Sequence, residues 1–206
     1  MKSNLKAIIF DWGGVCCRSG EPFASPALQK ELNMTPAEIE SGAQDINDAY
    51  YLGDYDCNSF WLAIIQRYNL KQNSEINPQK LSNAYLNSYE AYDDVLAYIL
   101  SLGKNYRIGL LSKLAPEMRD YIKKRHQLDK YFEVQVFSCD KDVHSSKPDA
   151  KSFLKILEKM QLKPQDCLFI DDSLKNILAA RTLGFKTLLF ENRKQFFNDI
   201  KNLIIV

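Results

Sequence analysis

The chain has 206 residues, too few for two ordinary domains and ample for one domain carrying an insertion. Apolar residues make up 46% and charged residues 26%, a globular balance that excludes wholesale disorder. Lys and Arg number 27 against 26 Asp and Glu, a net charge of +1, which leaves no electrostatic footprint for nucleic acid or an anionic membrane. No run of about 18 apolar residues is present to span a bilayer. The opening MKSNLKAIIFDWGGV meets an Asp after a short apolar run, unlike a signal peptide. Cys16, Cys17, Cys57, Cys139 and Cys167 show no C-x-x-C spacing, and His126 and His144 are the only histidines. A zinc site therefore lacks paired ligands, and the cysteines read as reduced thiols of a cytoplasmic protein. The oligomeric state is left between monomer and homodimer.

In chain order, Lys6–Phe10 is an apolar run too short for a helix and suited to a strand buried on both faces. Residues 18–90 contain no such run. Thr35-Pro36-Ala37-Glu38 is a capping box with proline at the first helical position. Ser59–Tyr68 has helical apolar spacing, with Phe60, Ile64 and Tyr68 in one row and Trp61 and Ile65 beside it. Asn77-Pro78 starts another helix. This block reads as a helical cap inserted between two parts of a core, residues 1–17 and 91–206.

From residue 93 the pattern alternates. Asp93–Leu102 predicts a helix closed by Gly103 at C′. Strands are expected at Tyr106–Leu111, Val134–Phe137, Cys167–Ile170 and Lys186–Phe190. Pro116 opens a helix running to about Arg125, and Pro148 opens another over Ala150–Met160. Ser173 or Asp172 caps a helix over Leu174–Leu183, ended by Gly184. The alternation predicts right-handed βαβ units: an α/β fold with a Rossmann-like, doubly wound parallel sheet.

In such sheets ligands gather beyond the carboxyl ends of the strands. Asp11 ends the first strand and Ser112-Lys113 the second, Lys147 sits in the loop after the third, and Asp171-Asp172 end the fourth. Carboxylates with a backbone carbonyl and waters suit Mg²⁺, which prefers few carboxylates and a substrate phosphate. With the phosphate charge masked, Asp11 can attack phosphorus in line and form an aspartyl-phosphate. Ser112 and the amides of the following helix start would hold phosphoryl oxygens, and Lys147 would balance charge.

These residues fall into four motifs: Phe10-Asp11-Trp12-Gly13-Gly14-Val15, Leu110-Leu111-Ser112, Lys147-Pro148-Asp149, and Phe169-Ile170-Asp171-Asp172-Ser173 with Asn176 following. In this order, the chain resembles the haloacid dehalogenase (HAD) superfamily, in the subgroup with a helical cap after the first strand. The resemblance covers the whole chain and implies a mobile cap and Mg²⁺-dependent phosphate-ester hydrolysis of a small phosphorylated substrate. It implies Asp11 as nucleophile, Asp11, the Gly13 carbonyl and Asp172 as metal ligands, and Asp171 mostly behind them near Lys147. Family phosphatases usually carry a second Asp two residues after the nucleophile, as general acid and base; here that residue is Gly13. Cys16, Cys17, Glu21 and a cap tyrosine are the candidates to replace it. Lys113 stands where the family often has Asn. It either adds positive charge for a further anionic group of the substrate or points to solvent.

Plainer readings exist for each residue. Asp11 can be a solvated strand end, Ser112 a turn cap, Asp171-Asp172 a helix-dipole pair, and Lys147 a turn lysine. Gly13-Gly14 can be only a tight turn, and the three-glycine dinucleotide fingerprint is absent. His144 reads as a solvated loop histidine, and Trp61 with the cap tyrosines as cap core. Two other functions compete. A catalytically reduced, phosphatase-like binding or regulatory module is suggested by Gly13. A haloacid dehalogenase is opposed by the retained Asp171 and Asp172.

Overall fold

The computed structural model describes residues 5–18, 26–70, 76–87 and 89–204; Glu21 lies outside them. The apolar run at the N-terminus forms β1 (Ala7–Phe10), at the centre of a five-stranded parallel sheet of order β3-β2-β1-β4-β5. Its partners are β2 (Arg107–Ser112), β3 (Val134–Phe137), β4 (Cys167–Asp171) and β5 (Lys186–Leu189). Strand direction in β1 splits its side chains between two cores. Ile8 and Phe10 join Ile108, Leu110, Leu168 and Ile170 on one face, under α6 (Asp93–Leu102), α7 (Pro116–His126) and α10 (Arg193–Leu203). Ala7 and Ile9 join Val136 and Phe169 on the other, under α8 (Ala150–Met160) and α9 (Leu174–Thr182). The fold is thus α/β and doubly wound, with the strand order reversing at β1 and β4.

Five described helices lie between β1 and α6: α1 (Pro26–Leu32), α2 (Pro36–Ala43), α3 (Asn47–Leu52), α4 (Cys57–Arg67) and α5 (Pro78–Leu86). Local signals set their ends. Thr35 and Glu38 form the capping box, and Asp56 and Asn77 accept from Ser59 and Lys80 amides at 2.7 and 3.0 Å. Their shared core is aromatic: Tyr50 stacks on Phe60 at 4.0 Å, Phe60 meets Trp61 at 5.1 Å, and Trp61 meets Tyr85 at 5.9 Å. The chain enters and leaves this block along one seam, where Cys17 bridges Ala91 and the Arg18 amide donates to the Glu90 carbonyl at 2.9 Å.

Three helix ends differ from expectation. Ser173 stands at the N-cap of α9, but neither it nor Asp172 caps with its side chain, because the neighbouring Asp171 carboxylate takes the Ser173 amide instead. α6 stops at Gly103, but with φ −59° rather than in the left-handed region. Pro148 precedes α8 instead of opening it. Asp149 is the cap, its carboxylate accepting the Lys151 amide at 3.0 Å, because a side chain that satisfies a free amide outcompetes one that merely lacks its own. No described helix is long and apolar enough to cross a membrane.

Gly109 in β2 lets α8 approach the sheet. A Cβ there would sit 3.1 Å from Ile156 and Met160 and 3.2 Å from Ile9. Gly109→Val should therefore overpack the core and cost roughly 1–3 kcal/mol. Urea denaturation checks it: the midpoint should fall at unchanged slope, and an unchanged midpoint would contradict the packing account.

Candidate active site

Sheet register brings the first carboxylates together. Phe10 pairs with Ile170, and the Asp11 amide donates to the Ile170 carbonyl at 2.9 Å, so Asp11 and Asp171 end adjacent strands side by side. The Trp12 amide donates to Asp11 Oδ1 at 2.7 Å, orienting the carboxylate. Lys147 Nζ lies 2.8 Å from Asp11 Oδ2 and 2.6 Å from Asp171 Oδ2, with only 3% of its side chain exposed. Asp171 is fully buried and saturated: Oδ1 accepts the Ser173 amide and Asn176 Nδ2, and Oδ2 accepts Lys147 and again Asn176. Ser112 is buried and close enough for its hydroxyl to help hold the Asp11 carboxylate down.

The electrostatics follow from this crowding. Burial pushes Asp11 up to about 7, Asp171 adding to the rise while Lys147 and Ser112 oppose it. Burial works against the Lys147 charge, but the two carboxylates outweigh it and raise its pKa. Asp172 is raised by desolvation first and by Asp171 second.

Asp172 reaches this cluster because residue 14 has no side chain. Gly14 sits at φ +74°, and a Cβ on it would lie 1.9 Å from Asp172 Oδ2. The Gly-Gly pair is thus more than a turn, and its consecutive glycines after an Asp were the signal. Asp11, Asp171 and Asp172 each offer an oxygen within 4.8 Å of the others. Because Asp171 is already committed to hydrogen bonds, Asp11 and Asp172 are the carboxylates left for a metal. All-oxygen donors of this kind fit a hard cation such as Mg²⁺. Gly13 adopts no left-handed conformation, and a Cβ built there meets nothing within 4 Å.

Lys113 neither lies free in solvent nor extends the carboxylate cluster. Its Nζ bonds Asp48 Oδ1 of α3 at 2.7 Å and stands 4.9 Å from the centre of the Tyr51 ring. Ser138, which the sequence reading passed over although it follows β3 directly, ties the same surfaces. Its Oγ donates to the Tyr51 carbonyl at 2.6 Å and accepts the Leu114 amide at 3.1 Å. That amide is therefore spent on a side chain. His144 reaches back to Asp54 at 2.9 Å, beyond α3. Cys16 and Cys17 lie buried beside Asp11, and the Cys16 thiol donates to the Asp11 carbonyl at 3.1 Å. An open cavity of 710 Å³ at the opposite end of the sheet is lined by Lys6, Arg107 and Glu133, whose charges are paired with Asp166 or each other.

A model of the haloacid dehalogenase-like hydrolases matches residues 5–184, and the chain belongs to that family. Over 99 residues it is 31% identical to Pyrophosphatase PpaX of Bacillus mycoides, covering 48% of this chain and 45% of that protein. Over 89 residues it is 30% identical to a phosphorylated carbohydrates phosphatase of Thermotoga maritima, covering 42% and 40%. The aligned stretches thus span less than half the length of these relatives. A HAD family enzyme of Bacteroides thetaiotaomicron, solved with magnesium and inorganic phosphate, shares the fold at a TM-score of 0.73, with 20% identity over 94% of this chain and 99% of that one.

Two predictions follow from the local physics. Lys147→Met would leave two buried carboxylates without their cation and should cost about 3–5 kcal/mol. Asp11→Asn, which leaves the Lys147–Asp171 pair intact, should cost much less; chemical denaturation of both variants checks the order.

Glu117, in the first turn of α7, is pushed up to about 7 by burial, and its Oε1 has no hydrogen-bond partner. Its folded pKa exceeds the ordinary value of 4.5, so the folded state binds the extra proton and stability falls as pH rises between these values. Glu117→Gln should match the wild type near pH 4.5 and exceed it in melting temperature above about pH 7. A difference independent of pH would contradict this.

Proposed function

We propose that the chain is a Mg²⁺-dependent hydrolase of small phosphorylated metabolites that works through an aspartyl-phosphate on Asp11, with residues 18–90 as a cap over the site. The observation that carries the reading is the meeting of Asp11, Lys147, Asp171 and Asp172 at the strand ends where the sheet order reverses. Phosphatase relatives and a structural neighbour solved with magnesium and phosphate support it.

Asp11, Asp172 and the Gly13 carbonyl would hold the metal. When bound, Mg²⁺ supplies positive charge that favours ionised carboxylates and masks the charge of the phosphate. The Asp11 carboxylate attacks phosphorus as the bond to the leaving alcohol breaks. Water then attacks the same phosphorus, releasing inorganic phosphate and restoring the carboxylate. Ser112 holds a phosphoryl oxygen, and Lys147 offsets negative charge between phosphate and carboxylates. Lys113 contributes through its grip on α3, at the rim of the substrate site. The second reading, a binding or regulatory module with reduced turnover, is favoured by Gly13.

Turnover of p-nitrophenyl phosphate with and without Mg²⁺ separates them. The wild type should hydrolyse it only with the metal, while Asp11→Asn and Asp172→Ala fall to background. An active Asp11→Asn protein would overturn the covalent step, and an inert wild type that binds phosphate would favour the second reading.

The space beside Gly13 allows a further check. A general acid contributes about 10²–10⁴-fold, chiefly where the leaving group is poor. Gly13→Asp should therefore accelerate alkyl phosphates strongly and p-nitrophenyl phosphate little. Equal acceleration of both would show that position 13 does not govern proton transfer.

A further inference from the structure

The sheet order places β1 between β2 and β4, so Asp11 is flanked by the loop after β2 on one side and the start of α9 on the other. Each flank carries a lysine. Lys113 directly follows Ser112, whose hydroxyl reaches the Asp11 carboxylate, and Lys175 stands three residues after Asp172. One carboxylate of the inserted helices meets both. Asp48 Oδ1 of α3 accepts from Lys113 Nζ at 2.7 Å. That hydrogen bond, and the charges of Lys113 and Lys175, hold Asp48 below the usual carboxylate range. A group felt from the loops on both sides of β1 belongs to the rim above the end of that strand, where Asp11 sits.

The two partners of this pair are not equivalent. The Asp48 side chain is 84% exposed and that of Lys113 only 35%. The Lys113 ammonium also rests 4.9 Å from the centre of the buried Tyr51 ring, which fixes its place at the rim. Releasing Asp48 returns it to water that it mostly has already, whereas the sheltered ammonium still calls for an anion. Nor does α3 depend on the pair. Ser138 holds the Tyr51 carbonyl at 2.6 Å and the Leu114 amide at 3.1 Å, and His144 holds Asp54 at 2.9 Å. Lys113 can therefore change partner while α3 stays in place.

We propose that Lys113 receives a second anionic group of the substrate, a carboxylate or phosphate on the alcohol part of the ester, and that Asp48 holds this place until such a group displaces it. The inference rests on the phosphatase reading and names its substrate class. Successive Cα atoms lie about 3.8 Å apart, so a phosphoryl group beside Ser112 and an anion on Lys113 can belong to one small molecule. One ion pair replaces another, and no covalent bond changes. Lys175 offers the displaced Asp48 a second cation on the far side of the site. An ester with a neutral alcohol part has nothing to exchange and leaves Asp48 where it is. The gain is in binding and is therefore read in KM.

The test compares 3-phosphoglycerate with glycerol 3-phosphate, and fructose 1,6-bisphosphate with fructose 6-phosphate, in the wild type, Lys113→Met and Asp48→Asn, with thermal melting as a fold control. The first pair differs in a carboxylate, the second in a phosphate, and the first shares a primary alcohol as leaving group. The wild type should show the lower KM for the doubly anionic ester in one pair or both, and the pair identifies the anion. Lys113→Met should shrink that KM ratio about fivefold, the worth of a half-exposed ion pair, and Asp48→Asn should widen it by a similar factor. The opposite signs are decisive, because a pair that merely fastened α3 would be broken alike by either substitution. No preference in the wild type, or any result other than opposite shifts in the two variants, would overturn the inference while leaving the phosphatase reading intact. A wild type that turns over none of the four esters would instead overturn the phosphatase reading. Titration calorimetry of the same proteins and esters then gives Kd in place of KM, with the same opposite shifts expected and their absence contradicting the inference.

Discussion

Two carboxylates at the ends of adjacent buried strands repel each other and have lost their water, so they need a cation between them. Lys147 is that cation, within hydrogen-bonding distance of both Asp11 and Asp171 and almost wholly shielded from solvent. Parallel pairing of β1 and β4 forces the carboxylates side by side, and the loop before α8 must then deliver a lysine to them. Asn176 and the Ser173 amide complete the shell around Asp171, which leaves Asp11 less encumbered. The arrangement fixes a division of labour: one saturated carboxylate that anchors Lys147, and one with capacity left for chemistry.

The same economy governs the rim. Asp172 occupies the space that a side chain at residue 14 would take, so the site depends on an absent atom as much as on those present. Opposite it, α3 is held against the loop after β2 by a surface ion pair, a lysine over a tyrosine ring, and a buried serine. Exposed ion pairs contribute about 0–1 kcal/mol, whereas a buried, fully used hydroxyl is worth more in geometry, since losing it strands an amide or a carbonyl. Ser138 is therefore the firmer tie, and Lys113 the more easily exchanged one.

Much of this was legible in the chain because its causes are local. β1 announced itself by four apolar residues before Asp11, and α2 by Thr35 and Glu38. The convergence of Asp11, Lys147 and Asp171 followed from strand-end logic alone. What escaped depended on partners distant in sequence. Nothing near Lys113 points to Asp48, 65 residues earlier, and the Gly-Gly pair after Asp11 signals a close approach without identifying Asp172 as the group that approaches. Ser138 was hidden by the more conspicuous Lys147 after the same strand. Pro148 looked like a helix start because proline suits that position, but Asp149 supplies the bond that the helix end lacks. The cap tyrosines read mainly as core, with an unspecified one as a candidate proton donor, and the hydroxyl contact of Tyr51 with Tyr85 stayed hidden because aromatic spacing cannot tell packed rings from aligned hydroxyls.

The central claim is that Asp11 is the group that takes the phosphoryl. A crystal structure grown with magnesium and beryllium fluoride, which mimics a phosphoryl group on a carboxylate, addresses it without reliance on a chosen substrate. The account predicts beryllium bonded to an Asp11 carboxylate oxygen, with Lys147 still anchored to Asp171. Beryllium bonded to another residue, with the Asp11 carboxylate free, would contradict it.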